Sequence, residues 1–123
     1  MRFLSFLLLG ILLLSCEPKD LPTVKVLESE RAILKLSHQS TKTEMEEYAR
    51  DLNRNLGIKF DFTQSLFFDN GLLRSLNFQI VNPDGSGGRA AADLMNLQHS
   101  YVGFIVELDG QGGTSYIKTG ILE

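Results

Sequence analysis

Residues 41–62 read TKTEMEEYARDLNRNLGIKFDF, and this stretch decides the fold. Thr41 stands where an N-cap belongs and Glu44 follows three residues on, the pair that closes a capping box. Met45, Tyr48, Ala49, Leu52 and Leu56 recur at helical spacing and form one apolar stripe. Glu44, Glu46 and Glu47 gather near the positive end of the helix dipole and Arg54 near the negative end. Glu46 and Arg50 add an i,i+4 pair worth a few tenths of a kcal/mol. Gly57 suits the position after the helix, where φ is positive. Directly beyond it Ile58, Phe60 and Phe62 alternate with Lys59, Asp61 and Thr63. The change to a period of two predicts a strand with an aromatic face toward the helix.

Working outward, that strand is expected to run on to Phe68. Asp69-Asn70-Gly71 then forms a hairpin turn, since Asn-Gly favours positive φ at both central residues. The return strand carries Leu72, Arg74, Leu76, Phe78 and Ile80 on one face; Ser75, Asn77 and Gln79 lie on the other, which is wet. Upstream, residues 31–36 alternate as a strand. Downstream, residues 82–88 break the pattern as a glycine-rich loop, and residues 89–98 can form a short helix that buries Ala91, Leu94 and Met95. Residues 101–108 are a clear strand with Val102, Phe104, Val106 and Leu108 facing in. After a second glycine-rich turn at 109–113, residues 114–123 add an edge strand or fray. The class is α+β. The order β-α-β-β-α-β is that of a small ferredoxin-like split βαβ, an antiparallel sheet with one or two helices on one face. Without the second helix the class is unchanged.

The chain opens MRFLSFLLLGILLLSC. Arg2 supplies a positive n-region, and the apolar run from Phe3 to Leu14 is twelve residues long. That fits a signal-peptide core and falls short of the roughly 20 residues a spanning helix needs. Leu13-Leu14-Ser15-Cys16 resembles the lipobox of bacterial lipoproteins, with a larger residue at Leu14 than the family favours. The resemblance implies that residues 1–15 are removed and that Cys16 becomes a diacylglycerol-modified first residue. Two lipid signals already give stable anchoring. Cys16 is the only cysteine, so no thiol remains for a disulfide, a metal or catalysis. Residues 16–29, with Pro18, Pro22 and scattered charge, read as a tether, although Val24, Val26 and Leu27 can add an edge strand. Residues 30–123 make one α+β domain. The net charge of −3 shows no basic patch, which excludes a nucleic-acid partner.

Two segments, TKTEMEEYARDLNRNLGIKFDF and FFDNGLLRSLNFQIVNPDGSGG, together resemble a C-terminal domain appended to BlaR-type membrane metallopeptidases of Bacteroidetes. The likeness covers under half of the chain. The peptidase part of that family, with its membrane helices and His-Glu-x-x-His zinc site, has no counterpart here, and no catalytic residue carries over. The resemblance implies extracytoplasmic sensing or contact.

His38 and His99, the only histidines, have no partner at ligand spacing, so no metal is expected. The 84–88 run lacks the Gly-Lys-Ser/Thr ending of a phosphate loop. Asp84 and Asp93 lack the alternating oxygen ligands calcium takes, and there is no Gly-x-Ser-x-Gly nucleophile turn. Glu44, Glu46, Glu47 and Asp51 form a solvated helix face. No cofactor is expected. The expected role is a membrane-anchored, non-catalytic binding module of the cell envelope with an envelope protein as partner. Its contact surface is the sheet face away from the helices: Ile33, Lys35, Thr63, Ser75, Tyr101 and Ile105 around a centre of Lys59, Asp61, Asn77 and Gln79. The alternatives are a small envelope hydrolase using Asp or Glu, a sensor-domain relative of the BlaR-type receptors, and pairing of copies through the 101–108 strand edge.

Overall fold

The computed structural model describes residues 19–122; the leader and Cys16 lie outside the described residues. Their elements are β1 (Val24–Leu27), β2 (Arg31–Leu36), α1 (Lys42–Leu56), β3 (Lys59–Asp61), β4 (Leu66–Phe67), β5 (Leu73–Val81), β6 (Gly87–Asp93), β7 (Tyr101–Leu108) and β8 (Thr114–Leu122). One antiparallel sheet has the order β1-β2-β7-β8; in the other, β5 pairs with β3 and β4 along one edge and with β6 along the other. The sheets meet where β6 passes β8: Gly88 lies against Thr119, whose hydroxyl donates to the Arg89 carbonyl at 3.3 Å.

The helix forms as its sequence dictates. The Thr41 hydroxyl accepts the Glu44 amide at 3.2 Å, and the Glu44 carboxylate accepts the Thr41 amide at 3.0 Å. Gly57 closes the other end at φ 68°. Met45, Tyr48 and Leu52 are buried, and Ala49 and Leu56 pack beside them. This stripe shares one core with the inward side chains of both sheets. At its centre Phe60 and Phe78 of one sheet meet Phe104 of the other, with ring centroids 5.4–5.9 Å apart, a spacing that favours tilted and edge-on packing. The buried Tyr48 hydroxyl reaches the Val26 and Ile33 carbonyls at 2.6 and 3.1 Å. Burial pushes its phenol well above the ordinary value.

The structure departs from the sequence expectations at several points. Residues 89–98 are not a helix: Gly87–Asp93 is a strand paired with β5 over seven residues, so the β-α-β-β-α-β order of a split βαβ is replaced. An Arg-Ala-Ala-Ala run favours helix locally, but the tight 82–86 turn delivers it onto β5, where ladder bonds outweigh propensity. Ala90 and Ala92 pack toward the core, Ala91 and Met95 are exposed, and Leu94 is buried. The strand expected to continue to Phe68 breaks into β3 and β4. Asp61 Oδ1 accepts from the Thr63 amide and hydroxyl, and the Ser65 hydroxyl exchanges two bonds of 2.9 and 3.0 Å with the Asn77 backbone, standing in for ladder partners.

The turn at 69–71 has positive φ only at Gly71. Phe68 and Leu72 bracket it as a three-residue hairpin, the longer turn class. The bulge beside it shifts the phase of β5, so Leu73 is buried and Arg74 exposed. Within the expected tether, residues 19–27 are fixed to the domain: Leu21 is 4% exposed, and Val24–Leu27 forms the edge strand that the sequence allowed, paired with β2. Residues 114–122 are ordered as β8, which covers the edge of β7; that strand therefore offers no free edge for pairing copies.

Candidate functional site

The registers of β3, β5 and β6 set Asp61 opposite Gln79 and Gln79 opposite Arg89. Side chains alternate along a strand, so Phe60 and Ile80, one position away, enter the core while this row faces out. Directly opposed residues in such a row have Cβ atoms about 5 Å apart. The row therefore runs carboxylate, amide, guanidinium across three strands. Asn77, two residues from Gln79, adds a second amide, and Gln64 enters from the loop between β3 and β4. Together Asp61, Gln64, Asn77, Gln79 and Arg89 line an open groove of about 250 Å³ whose floor is formed at Phe78.

The loop is held for this purpose by local bonds. Asp61 uses Oδ1 to accept Thr63, which holds its carboxyl below the ordinary carboxylate range and keeps it charged. Ser65, 8% exposed, fixes the far end of the loop to the Asn77 backbone. Among the described residues Arg89 has no ion pair, and its guanidinium is exposed at the groove. The result is a preformed surface with one anion, one cation and three neutral amides, able to recognise a polar partner by hydrogen bonds in both senses.

Of the ten residues expected at a contact surface, Asp61, Asn77 and Gln79 come together here. Lys59 lies beside them on the same face, opposite Val81, without lining the groove. Ser75 lies in this sheet on β5 and Thr63 in the loop after β3, but Ile33, Lys35, Tyr101 and Ile105 belong to the other sheet. There Lys35 Nζ lies 5.9 Å from the centroid of the Tyr101 ring, and Ile33 is 9% exposed. The expected face is thus two surfaces. Gln64 and Arg89 were missed: one stood in a presumed continuous strand, the other in a presumed helix. Gly87-Gly88 ahead of Arg89, following a tight turn, was the available signal for a strand.

The histidines serve elsewhere. His38 Nε2 lies 3.1 Å from the Lys19 carbonyl, and His99 borders a cavity with Lys19, Leu21, Tyr101 and Leu122. No cluster of three or more His, Cys, Asp or Glu suited to a metal occurs among the described residues, and no described helix is long and apolar enough to cross a membrane. No protein-family model, curated protein or solved structure matches this chain.

Proposed function

We propose that this protein is a lipid-anchored envelope lipoprotein whose domain binds a partner, without catalysis, through the groove on β3, β5 and β6. The observation that carries the reading is the Asp61–Gln79–Arg89 row, three polar side chains brought to one exposed face by two strand registers. Acid–base hydrolysis of the glycosidase kind needs two carboxyl groups placed on either side of a bond. Asp61 is the single carboxylate lining the groove, and Thr63 already occupies one of its oxygens. That composition favours recognition over hydrolysis. The lipobox at residues 13–16 supports the anchor, and the likeness of residues 41–88 to a receptor-appended domain supports a contact role in the envelope.

Metabolic labelling with a palmitate analogue tests the anchor: wild type is marked and Cys16→Ser is not. Equal labelling of both overturns the envelope reading. The binding half is tested by substituting the groove residues, as set out in the Discussion.

A further inference from the structure

The longer strands run between two ends of the domain, and the ends differ. At one end sit the three turns 28–30, 82–86 and 109–113, gathered closely enough that Glu30, Pro83, Gly110 and Gly113 line one cavity. This end carries Glu28, Glu30, Asp84 and Asp109, all exposed, with Arg31 and Lys59 exposed beside them. At the other end, Lys42 and Leu73 bond to Gly71 and Ser40, Leu94 bonds to Arg74, and Lys19 bonds to Gln98. Here Phe68, Met95 and Ile121 are exposed by 43, 52 and 57%, three of the five large apolar side chains so exposed among the described residues. Lys19, Lys42 and Arg74 stand with them, beside Asp20, Asp69, Asp93 and the carboxylates of Glu44, Glu46 and Glu47 at the start of α1. The Arg74 guanidinium lies 5.9 Å from the Phe68 ring centroid.

The chain enters at this second end and is fixed there. The Lys19 amide donates to the Gln98 carbonyl at 3.1 Å, the Leu21 amide to Gln39 at 2.8 Å, and the Tyr101 hydroxyl to the Pro22 carbonyl at 2.6 Å. Cys16 is three residues before Lys19. Extended chain covers at most about 3.6 Å per residue, so a lipid on Cys16 holds Lys19 within about 11 Å of the acyl attachment. The headgroup layer is itself several ångströms deep.

We propose that the end bearing Phe68, Met95 and Ile121 docks on the lipid bilayer, its apolar side chains entering the headgroup region while the end with the three clustered turns points away. The inference rests on lipid attachment at Cys16. Charge does not separate the two ends, so burial of apolar surface supplies the attraction, and the short span from Cys16 to Lys19 selects this end. Gln79 lies six residues along β5 from Leu73, which at about 3.3 Å per residue raises the groove some 20 Å above the docking end. The domain is then a fixed platform that presents its groove outward.

The chain has no tryptophan, so single tryptophans report position cleanly. Full-length acylated Met95→Trp and Gln111→Trp variants are placed in phosphatidylcholine vesicles carrying brominated acyl chains, after mass analysis of Cys16. The expected result is at least threefold stronger quenching at position 95 than at 111, with a blue-shifted emission at 95 alone. Acylated protein with equal quenching at both positions, or stronger quenching at 111, overturns the docking geometry while leaving the anchor intact. Protein isolated from membranes without lipid on Cys16 overturns both.

Discussion

Phe78 and Gln79 are neighbours on one strand, yet they live in different parts of the molecule. Phe78 is 1% exposed and packs edge-on against Phe60 and near Phe104; Gln79 stands in the open row between Asp61 and Arg89. The inner layer of this sheet is apolar, interlocked and shared with the helix. The outer layer is polar and makes few contacts beyond its own loop. The difference is set by the strand period: one layer specifies the fold, and the other is left facing solvent. Substitutions that respect or violate this division test it.

The largest effect is expected at the aromatic junction. Phe104→Ala removes the ring that ties the two sheets together and should cost about 3–5 kcal/mol in denaturant unfolding. Leu52→Ala, fully buried on the helix stripe, should cost roughly 2–5 kcal/mol. If unfolding were indifferent to either, the inner layer would not be the layer that specifies the fold. Gly103→Ala comes next. A Cβ there would run into the Leu34 carbonyl of the paired strand, and forcing β2 and β7 apart should cost about 1–3 kcal/mol. Thr41→Ala removes the acceptor for the Glu44 amide and should cost about 1 kcal/mol, read as a lowered midpoint with unchanged slope.

A smaller effect concerns acid. The carboxyls of Asp84 and Asp109 are held below their ordinary range by hydrogen bonds from Ser86 and from the Gln111 and Gly113 amides. A depressed folded-state value means that the stabilisation is complete above the unfolded carboxylate pKa. It is lost as pH falls through the lower, folded values. Thermal melts from neutral pH downward should therefore weaken only below about pH 4, and Asp84→Asn with Asp109→Asn should flatten that fall. At the bottom of the scale, Asn77→Ala, Gln79→Ala and Arg89→Ala should each change stability by no more than about 0.5 kcal/mol.

How much of this was legible depended on how local the signals were. The capped helix, Gly57 and the aromatic strand after it depend on neighbours within a few residues, and they stand as read. The inward Val102, Phe104 and Val106 were equally plain, because alternation needs no knowledge of the partner. Residues 87–93 were illegible for the opposite reason. Their alanines favour a helix when considered alone, and only the ladder with β5 makes them a strand. The same non-local cause hid Arg89 from the groove. The break at Asp61–Thr63 hid Gln64, since a carboxylate capping its own turn resembles a continuing strand in a sequence of alternating residues. Leu21 and the segment from Lys19 were misread as tether because two prolines and scattered charge describe an extended chain without saying whether it is bound.

The central claim is that the outer layer of β3, β5 and β6 is the working surface. The sharpest test is site-specific photo-crosslinking of the full chain expressed in living cells. The crosslinking residue replaces Asn77 in the groove or Glu47 on the exposed helix face, and each is repeated with Asp61, Gln79 and Arg89 changed to alanine. A discrete adduct is expected from position 77 that disappears in the alanine background, with none from position 47. An adduct from position 47 alone, or one from position 77 that survives the alanine changes, would contradict it.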